Sequence, residues 1–422
     1  MTNNLLNKKI IVVHPGQQHS YHLATALKNN GLLYKYITTV YNKKGSFTNN
    51  VLRFLKGNNK KRGEARHSDN IPDNDILLFC EIRGLLSLLI LRVSFLKKFW
   101  PRWNDYLNDS FGKKVAKYAI KNNVDIVISY DNNSSELFGL LKLKAPNITC
   151  VLDCSAANRL YVRLLYENEM KKNKQEELCL ENPELFNGRV LERIKREIKL
   201  ADYFLVPSQF VKKSLEISGI NSESILVAPY GVDINHFRGI GSSNSNYEMK
   251  IVFLYVGRIT YAKGLNYLLD SFSKINNTEI ELRLVGNYSI TPGLYEKYKD
   301  HPKITFLGNV MHNEMKKIYS QADVLIIPSL NEGMSLSGLE GWSCGLPLIC
   351  TMNSGVNDFV ENYKNGIVIP AGDSNALTKA ILWFINNQDK LKEMKDYARK
   401  AAENLSWETY NNNIYKEIKR IL

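Results

Sequence analysis

Two glutamates, Glu332 and Glu340, lie in a stretch whose pattern could bind a phosphorylated ligand. An apolar run that ends at Ile327 predicts a buried strand, and Gly345 ends the helix that follows the next loop. If this helix begins near Leu336, Glu332 lies on the loop and Glu340 about one turn into the helix. The unpaired backbone N–H groups of a first helical turn favour a phosphate. Because ligands of open parallel sheets bind beyond the carboxyl ends of the strands, both carboxylates could contact such a ligand.

Two basic residues, Arg258 and Lys263, flank another predicted strand–helix junction. A guanidinium binds phosphate through its planar fork and an ammonium binds it as a point charge, so the pair could hold a diphosphate. Either charged pair alone could also be ordinary protein surface. Their combination in one half of the chain favours a binding site.

The bulk composition sets the class of protein. With 422 residues, the chain is too long for one ordinary hydrophobic core, and we expect two domains. No apolar stretch reaches the roughly 18 residues that span a bilayer, and the N-terminal apolar run is too short for a signal peptide. Six cysteines without a C-x-x-C pair indicate a reduced, cytoplasmic protein. The net charge of +14 favours an anionic partner, which could be nucleic acid, a phosphorylated substrate or a membrane leaflet.

Short apolar runs alternate with helical patterns along the chain, which predicts two parallel α/β domains. A Gly- and Ser-rich segment at residues 239–246 is the expected linker. The predicted strands of the first domain are residues 10–14, 36–40, 76–80, 125–129, 148–152, 203–206 and 225–228. Those of the second domain are residues 251–256, 281–285, 304–307, 324–327, 348–350 and 367–369.

The sequence around both charged pairs resembles the nucleotide-sugar site of family-4 retaining glycosyltransferases, within glycosyl transferases group 1. Residues 332–349 contain Glu-x7-Glu followed by Trp-Ser-Cys-Gly-Leu-Pro-Leu-Ile, close to the pattern of that family. Residues 256–264, VGRITYAKG, resemble its V-G-R-L-x-x-x-K-G, and residues 306–310, FLGNV, its F-x-G-x-V. Gly341 and Trp342 stand where the family usually has Ala and Met.

This resemblance implies an α/β fold of the GT-B type, in which two Rossmann-like domains face each other across a cleft. Residues 1–238 would bind the acceptor, residues 247–405 would bind the nucleotide-sugar donor, and residues 406–422 would form a helix that crosses back to the first domain. The implied reaction is hexosyl transfer with retention at the anomeric carbon. The nucleotide-sugar is a substrate, and no metal or other cofactor is expected.

The resemblance also implies a role for each site residue. Glu332 would orient the donor sugar, Glu340 would bind the ribose hydroxyls, and Arg258 and Lys263 would stabilise the charge that develops on the diphosphate. The backbone at Val310 would contact the base, so no side chain identifies that base. The other expected donor contacts are Gly16, Gly257, Gly333, Met334, Ser335 and Leu336, the last three through their backbone N–H groups.

Two positions depart from the family pattern. Pro15-Gly16 replaces the usual Gly-Gly after the first strand, so only Gly16 corresponds, and this loop could also be a plain tight turn. Asp153 stands where many family-4 enzymes have a histidine that contacts the donor sugar. Asp153 is a candidate catalytic residue that could bind a sugar or acceptor hydroxyl, or it could cap the next helix. The alternative functions are a catalytically silent GT-B scaffold or partner subunit, and a nucleotide-sugar 2-epimerase.

Residues 82–103 combine apolar side chains with five basic residues and two tryptophans. This composition suits a segment in a membrane interface, and a buried helix with solvated basic ends is the alternative. Together with the net charge, it favours a lipid-linked or polysaccharide acceptor in lipopolysaccharide or capsule biosynthesis, with the protein peripheral at the inner face of the cell membrane. Asp73-Asn74-Asp75 has the D-x-D spacing of some metal sites but is interpreted as a turn. No nucleic-acid-binding module is visible.

Overall fold

Seven parallel strands form the first of two sheets in this computed structural model, which describes residues 8–17, 19–173, 176–237, 250–289 and 291–422. The spatial order of these strands is β3-β2-β1-β4-β5-β6-β7. Alternate residues of the central strand belong to two different cores, since Ile10 and Val12 pack on one face and Ile11 and Val13 on the other. The strands are β1 (Ile10–His14), β2 (Leu33–Thr38), β3 (Ile76–Leu78), β4 (Ile126–Tyr130), β5 (Thr149–Asp153), β6 (Tyr203–Val206) and β7 (Ile225–Val227).

Six parallel strands form the second sheet, in the order β10-β9-β8-β11-β12-β13. Its central strand is also buried on both faces, as expected for a parallel sheet that helices cover on both sides. The strands are β8 (Ile251–Val256), β9 (Ile280–Val285), β10 (Ile304–Gly308), β11 (Val324–Ile327), β12 (Leu348–Thr351) and β13 (Gly366–Ile369).

The helices alternate with the strands in both domains. Those that follow strands of the first sheet are α1 (Ser20–Asn29), α2 (Phe47–Leu52), α3 (Gly57–Glu64), α4 (Glu81–Arg92), α5 (Trp100–Lys121), α6 (Ser135–Lys144), α7 (Arg159–Asn173), α8 (Glu177–Glu181), α9 (Gly188–Leu200), α10 (Gln209–Ile217) and α11 (Ile234–Phe237). The others are α12 (Leu265–Lys274), α13 (Pro292–Tyr298), α14 (His312–Ser320), α15 (Leu336–Ser343), α16 (Ser374–Asn386), α17 (Leu391–Glu403) and α18 (Trp407–Lys419).

Every strand predicted from the sequence is present, and the differences lie at the strand ends. The second strand begins at Leu33 and not at the predicted residue 36. The predicted start was too late because the polar Lys35 interrupts the apolar run. The third strand ends at Leu78, and Cys80 has a left-handed φ of 57° at the start of α4. The predicted linker at 239–246 lies outside the described residues, so the domain boundaries stay predictions. No helix within the described ranges is long and apolar enough to cross a membrane.

The last helix packs against the first domain, as the sequence predicts. Tyr410, Ile414 and Ile418 of α18 are buried in a cluster that also contains residues of both sheets. The chain is held where it crosses, because the Val232 N–H donates to the carbonyl oxygen of Leu405 at 2.9 Å. The crossing helix therefore ties the two domains together beside the cleft.

Helices α7 and α8 form a second bridge, which the sequence analysis did not foresee. They follow a strand of the first sheet, yet Tyr166 and Leu178 are buried in the core of the second domain. The Glu181 carboxylate accepts hydrogen bonds from the backbone N–H groups of Tyr261 and Ala262 at 2.7 and 3.0 Å. We call residues 159–181 the bridging arm.

A buried carboxylate fixes the loop at the carboxyl end of β4. Glu197 is 1% exposed and accepts from the backbone N–H groups of Asn132, Ser134 and Ser135 at 2.7–3.0 Å. These donors lie at the start of α6, where N–H groups lack partners within the helix. Burial raises the pKa of Glu197 from 4.5 to about 7, and the three hydrogen bonds oppose that rise.

The pKa of Glu197 predicts a pH dependence of stability. Between pH 4.5 and about 7 the folded chain holds a proton at Glu197 that the unfolded chain has lost. The contribution of this residue is therefore fully present at low pH and is lost as pH rises through about 7, by roughly 3 kcal/mol in total. Melting temperatures measured across this range for wild type and Glu197→Gln should differ in slope. Equal slopes in the two proteins would contradict this prediction.

Candidate active site

Lys263 and Glu332, which the sequence places on separate loops, form an ion pair in the cleft. The Lys263 ammonium donates to Glu332 Oε2, and Ser329 Oγ donates to the same oxygen at 3.3 Å. Lys263 follows β8, and Glu332 follows the neighbouring β11. The order of the strands therefore brings together two of the predicted catalytic residues.

Gly264 allows the lysine to approach the end of β11. Its φ of 71° is left-handed, and a Cβ at this position would overlap the carbonyl oxygen of Pro328. A side chain would therefore push the Lys263 loop away from the Glu332 loop. This contact is the physical reason for the Lys-Gly dipeptide.

Arg258 lies on the same loop as Lys263 and is exposed. The buried hydroxyl of Tyr255 donates to the Arg258 carbonyl oxygen at 2.6 Å and fixes the backbone there. Burial and the nearby charge of Glu332 raise the pKa of Tyr255, and the Arg258 charge opposes that rise. Gly257, one residue before, has a positive φ of 153°. Arg258 and Glu332 thus lie around the same buried tyrosine.

The start of α15 differs in one respect from the prediction. The Ser335 N–H, counted among three unpaired amides, donates to the carbonyl oxygen of Ser354 at 3.1 Å. Ser335 instead acts as the N-cap, since its Oγ accepts from the Gly338 N–H at 3.3 Å. Met334 is buried and its sulfur accepts from the Tyr230 N–H, whereas Leu336 is 44% exposed.

Glu340 lines a cavity of about 540 Å³ between the two domains, which Leu336 also lines. The buried Tyr319 hydroxyl donates to Glu340 Oε2 at 2.7 Å. Burial raises the pKa of Glu340, and the hydrogen bond from Tyr319 opposes the rise. Val310, the expected base contact, follows β10 and is half-buried.

Gly333 lies where the two domains touch. A Cβ on it would overlap the carbonyl oxygen of Ser155 in the first domain. Its own carbonyl oxygen accepts from Ser208 Oγ at 2.6 Å, again in the first domain. Glycine is therefore required beside Glu332 because the opposing domain leaves no room for a side chain.

The second domain matches a known enzyme family. Residues 240–401 match the family model described as Glycosyl transferases group 1. This part of the chain is therefore similar to the glycosyl transferases group 1 family. An uncharacterised glycosyltransferase of Methanocaldococcus jannaschii is 24% identical over 332 residues, which are 76% of this chain and 82% of that protein. The capsular polysaccharide biosynthesis glycosyltransferase CapM of Staphylococcus aureus is 27% identical over 36% of this chain and 40% of that protein.

The fold of the whole chain is GT-B, as predicted. A crystal structure of HepE from Anabaena in complex with UDP superimposes with a TM-score of 0.63 and 16% identity. It covers 98% of this chain and 100% of that chain. The family match and the names of the relatives support glycosyl transfer as the reaction class.

On the first-domain side of this glycosyltransferase fold, Asp153 pairs with a histidine. Asp153 is the last residue of β5 and is 2% exposed, and His19 Nε2 lies 3.1 Å from both of its carboxylate oxygens. The next helix begins at Arg159, and the Leu160 N–H donates to Asn158 at 2.9 Å. Asp153 therefore holds an imidazole and does not cap that helix.

His19 is the residue that sequence reasoning missed. It precedes α1, and its ring contacts the rings of Tyr130 and Tyr230 at centroid distances of 5.1 and 4.7 Å. The Tyr230 hydroxyl lies 3.2 Å from His19 Nε2. The sequence carries no direct signal of this contact, because it depends on the strand order β1-β4-β5, which brings the residues after β1 close to the end of β5.

Gly16 and the Asp73-Asn74-Asp75 segment both make contacts within the first domain. The Gly16 N–H donates to His14 Nδ1 at 2.7 Å, and its carbonyl oxygen accepts from Thr38 Oγ1 at 3.1 Å. Asp75 forms an ion pair with Lys28 at 2.6 Å, and residues 73–75 form a short 3₁₀ turn. The interpretation of Asp73-Asn74-Asp75 as a turn is confirmed.

The His19–Asp153 pair predicts a coupled effect on catalysis. Asp153→Asn keeps the shape of the side chain but removes the charge that orients the imidazole, and a charge-assisted hydrogen bond is worth about 1.5–3 kcal/mol. We expect donor turnover to fall roughly tenfold or more, while melting temperature and nucleotide affinity stay near wild type. His19→Ala should cost a similar amount, and the double variant little more than either. Additive losses in the double variant would show that the residues act separately.

Proposed function

We propose that the protein is a retaining, metal-independent hexosyltransferase that moves a sugar from a nucleotide-sugar donor to a lipid-linked or polysaccharide acceptor in cell-surface glycan biosynthesis. The Lys263–Glu332 ion pair in the cleft carries this proposal. It joins a cation suited to a diphosphate with a carboxylate suited to sugar hydroxyls. HepE, which binds UDP, and CapM, named for capsular polysaccharide biosynthesis, support the donor and acceptor classes.

Electrostatic stabilisation of the leaving group explains the arrangement. When the bond from the sugar to the diphosphate breaks, negative charge grows on the phosphate oxygens, and preorganised cations lower the barrier. Arg258 and Lys263 lie on one short loop and provide two such charges. Glu332 holds the lysine in place and leaves one carboxylate oxygen for the sugar hydroxyls.

Retention is best explained by attack from the face that the diphosphate leaves. Asp153, the carboxylate at the first-domain side, is buried and held by His19, which favours an orienting role over a nucleophilic one. In this reaction the acceptor oxygen bonds to the anomeric carbon as the diphosphate departs. The leaving phosphate oxygen takes the proton of the acceptor hydroxyl.

The direct test is a panel of UDP-, GDP-, ADP- and TDP-sugars scored for donor hydrolysis, which needs no acceptor. Arg258→Ala and Lys263→Ala should each lose about 2–4 kcal/mol of transition-state stabilisation, as lost oxyanion donors do. Lys274→Ala, at the exposed far end of α12, is the matched control and should keep full activity.

Four outcomes would contradict the proposal. Full activity in the Arg258→Ala or Lys263→Ala variant would show that this residue does not stabilise the leaving diphosphate. Loss of activity with EDTA and rescue by Mg²⁺ would contradict metal independence. Binding of a nucleotide-sugar with no turnover would favour the silent scaffold, and release of an epimerised sugar would favour the 2-epimerase.

A surface on the first domain supports a membrane-associated acceptor. In α4 and the 3₁₀ turn after it, apolar side chains point to solvent, and the buried residues of α4 are Gly84 and Ser87. The buried-helix alternative for 82–103 therefore does not describe this segment. We call it the apolar-basic surface, and its exposed apolar residues are Ile82 (59%), Leu86 (40%), Leu89 (52%), Leu91 (40%), Phe95 (72%) and Phe99 (51%).

The two tryptophans of this segment are less exposed than its six exposed apolar residues. Trp100 and Trp103 are half-buried, and Trp103 Nε1 donates to the carbonyl oxygen of Arg83 at 3.3 Å. Phenylalanine, leucine and isoleucine side chains therefore form the exposed apolar part. Basic residues surround them, and each is worth about 1 kcal/mol near an anionic leaflet.

We expect reversible, salt-sensitive binding to anionic vesicles, because the attraction decays within a Debye length. Replacing the exposed Arg92, Lys97, Lys98 and Arg102 with Glu should abolish co-sedimentation and leave donor hydrolysis intact. The matched control reverses four exposed lysines of the second domain, Lys317, Lys379, Lys392 and Lys400, with the same change in net charge. Equal loss in both variants would show an effect of net charge alone, and a wild type that never binds would exclude a membrane role for this surface.

A further inference from the structure

The cavity between the domains has one wall from each domain. Glu340, Leu336 and His312 line it on the second-domain side. His22 of α1 and Trp407 of α18 line it on the opposite side. The sequence resemblance placed every nucleoside contact on the second domain, so the facing wall has no assigned role.

His22 and Trp407 form a stacked pair on that facing wall. Their rings are nearly parallel, with centroids 3.5 Å apart and an interplanar angle of 3°. His22 is nevertheless exposed, so one face of the imidazole lies on the indole and the other remains open. An open aromatic face in a cavity can stack a planar heterocycle.

Trp407 is fixed in place by its backbone. It is the first residue of α18, and Ser406 Oγ caps that helix by accepting from the Thr409 N–H at 3.0 Å. A Cβ on Gly231, the residue after Tyr230, would overlap the backbone of residues 406–407. The stacked pair is therefore a rigid platform.

The side of the cavity around Glu340 is also aromatic. His236 and His312 stack in parallel with centroids 5.4 Å apart, and Phe237 meets His312 edge-on at 5.5 Å. Phe237 also meets Tyr319, whose hydroxyl holds Glu340. A ribose at Glu340 would therefore hold its base in the space between two aromatic walls.

We infer that the base of the donor nucleotide stacks on His22, so that the first domain and the crossing helix complete the nucleoside site. This inference rests on the proposed function, since it takes a nucleoside diphosphate as the ligand. His22 is then a specificity-determining residue of the first domain. The base is bound by both domains, and the closed form of the cleft is the form that binds the nucleotide fully.

Calorimetry with free UDP, GDP, ADP and TDP, and with inorganic pyrophosphate, tests the inference. His22→Ala removes one stacking partner of the base and should weaken binding of the preferred nucleotide about tenfold, which is about 1.4 kcal/mol. Pyrophosphate lacks a base, and its affinity should not change. His22→Phe keeps an aromatic face and should restore most of the nucleotide affinity.

His67→Ala is the matched control, because His67 is an exposed histidine of the same domain that does not line the cavity. It should bind nucleotide as wild type does. The inference is wrong if His22→Ala binds the nucleotide as tightly as wild type does. It is also wrong if His22→Ala loses as much affinity for pyrophosphate as for the nucleotide. If wild type binds none of the four nucleotides, the proposed function itself fails, and the two failures are thus distinguishable.

Discussion

The contact between Gly333 and the first domain is the constraint on which the cleft depends. Ser208 Oγ donates to the Gly333 carbonyl oxygen, and the Ser155 carbonyl oxygen occupies the space that a side chain would need. Glu332, the residue before Gly333, is therefore held between the domains. Glu332 contacts Lys263 of the second domain. Ser155, which lies against Gly333, follows two residues after Asp153, the last residue of β5 in the first domain. The loop of Glu332 and Gly333 thus brings the expected donor-binding side chains close to the first domain, because it contacts both domains.

The bridging arm extends this coupling to the basic loop. Glu181 accepts from the N–H groups of Tyr261 and Ala262, which lie between Arg258 and Lys263 in sequence. Burial raises the pKa of Glu181, and the two hydrogen bonds and the Arg258 charge oppose the rise. A carboxylate of the first domain therefore helps to shape the loop that carries both cations. Separation of the domains would break these hydrogen bonds, so the geometry of the basic loop depends on the closed arrangement.

The sequence predicts the positions of the strands well for a physical reason. A parallel strand that is buried on both faces must be a continuous apolar run, and such runs are visible without any knowledge of tertiary contacts. The Lys263–Glu332 pair follows from two short motifs at the ends of neighbouring strands. His19 could not be found in this way, because its partner Asp153 is distant in sequence and the contact depends on the order of the strands. The Ser335 N–H was misjudged for the same reason, since its acceptor at Ser354 follows another strand.

Contacts within the first domain connect the apolar-basic surface to the loop that carries His19. Beneath the apolar-basic surface, the buried Gly84 of α4 packs closely on Thr39. The Thr39 hydroxyl donates to the Pro15 carbonyl oxygen at 2.6 Å. The residue after Pro15 begins the loop that leads to His19, so this surface adjoins the first-domain rim of the cleft. The aromatic cavity lies beside the crossing helix. In the proposed reaction, an acceptor held at the apolar-basic surface would approach the His19–Asp153 pair from the first-domain rim of the cleft.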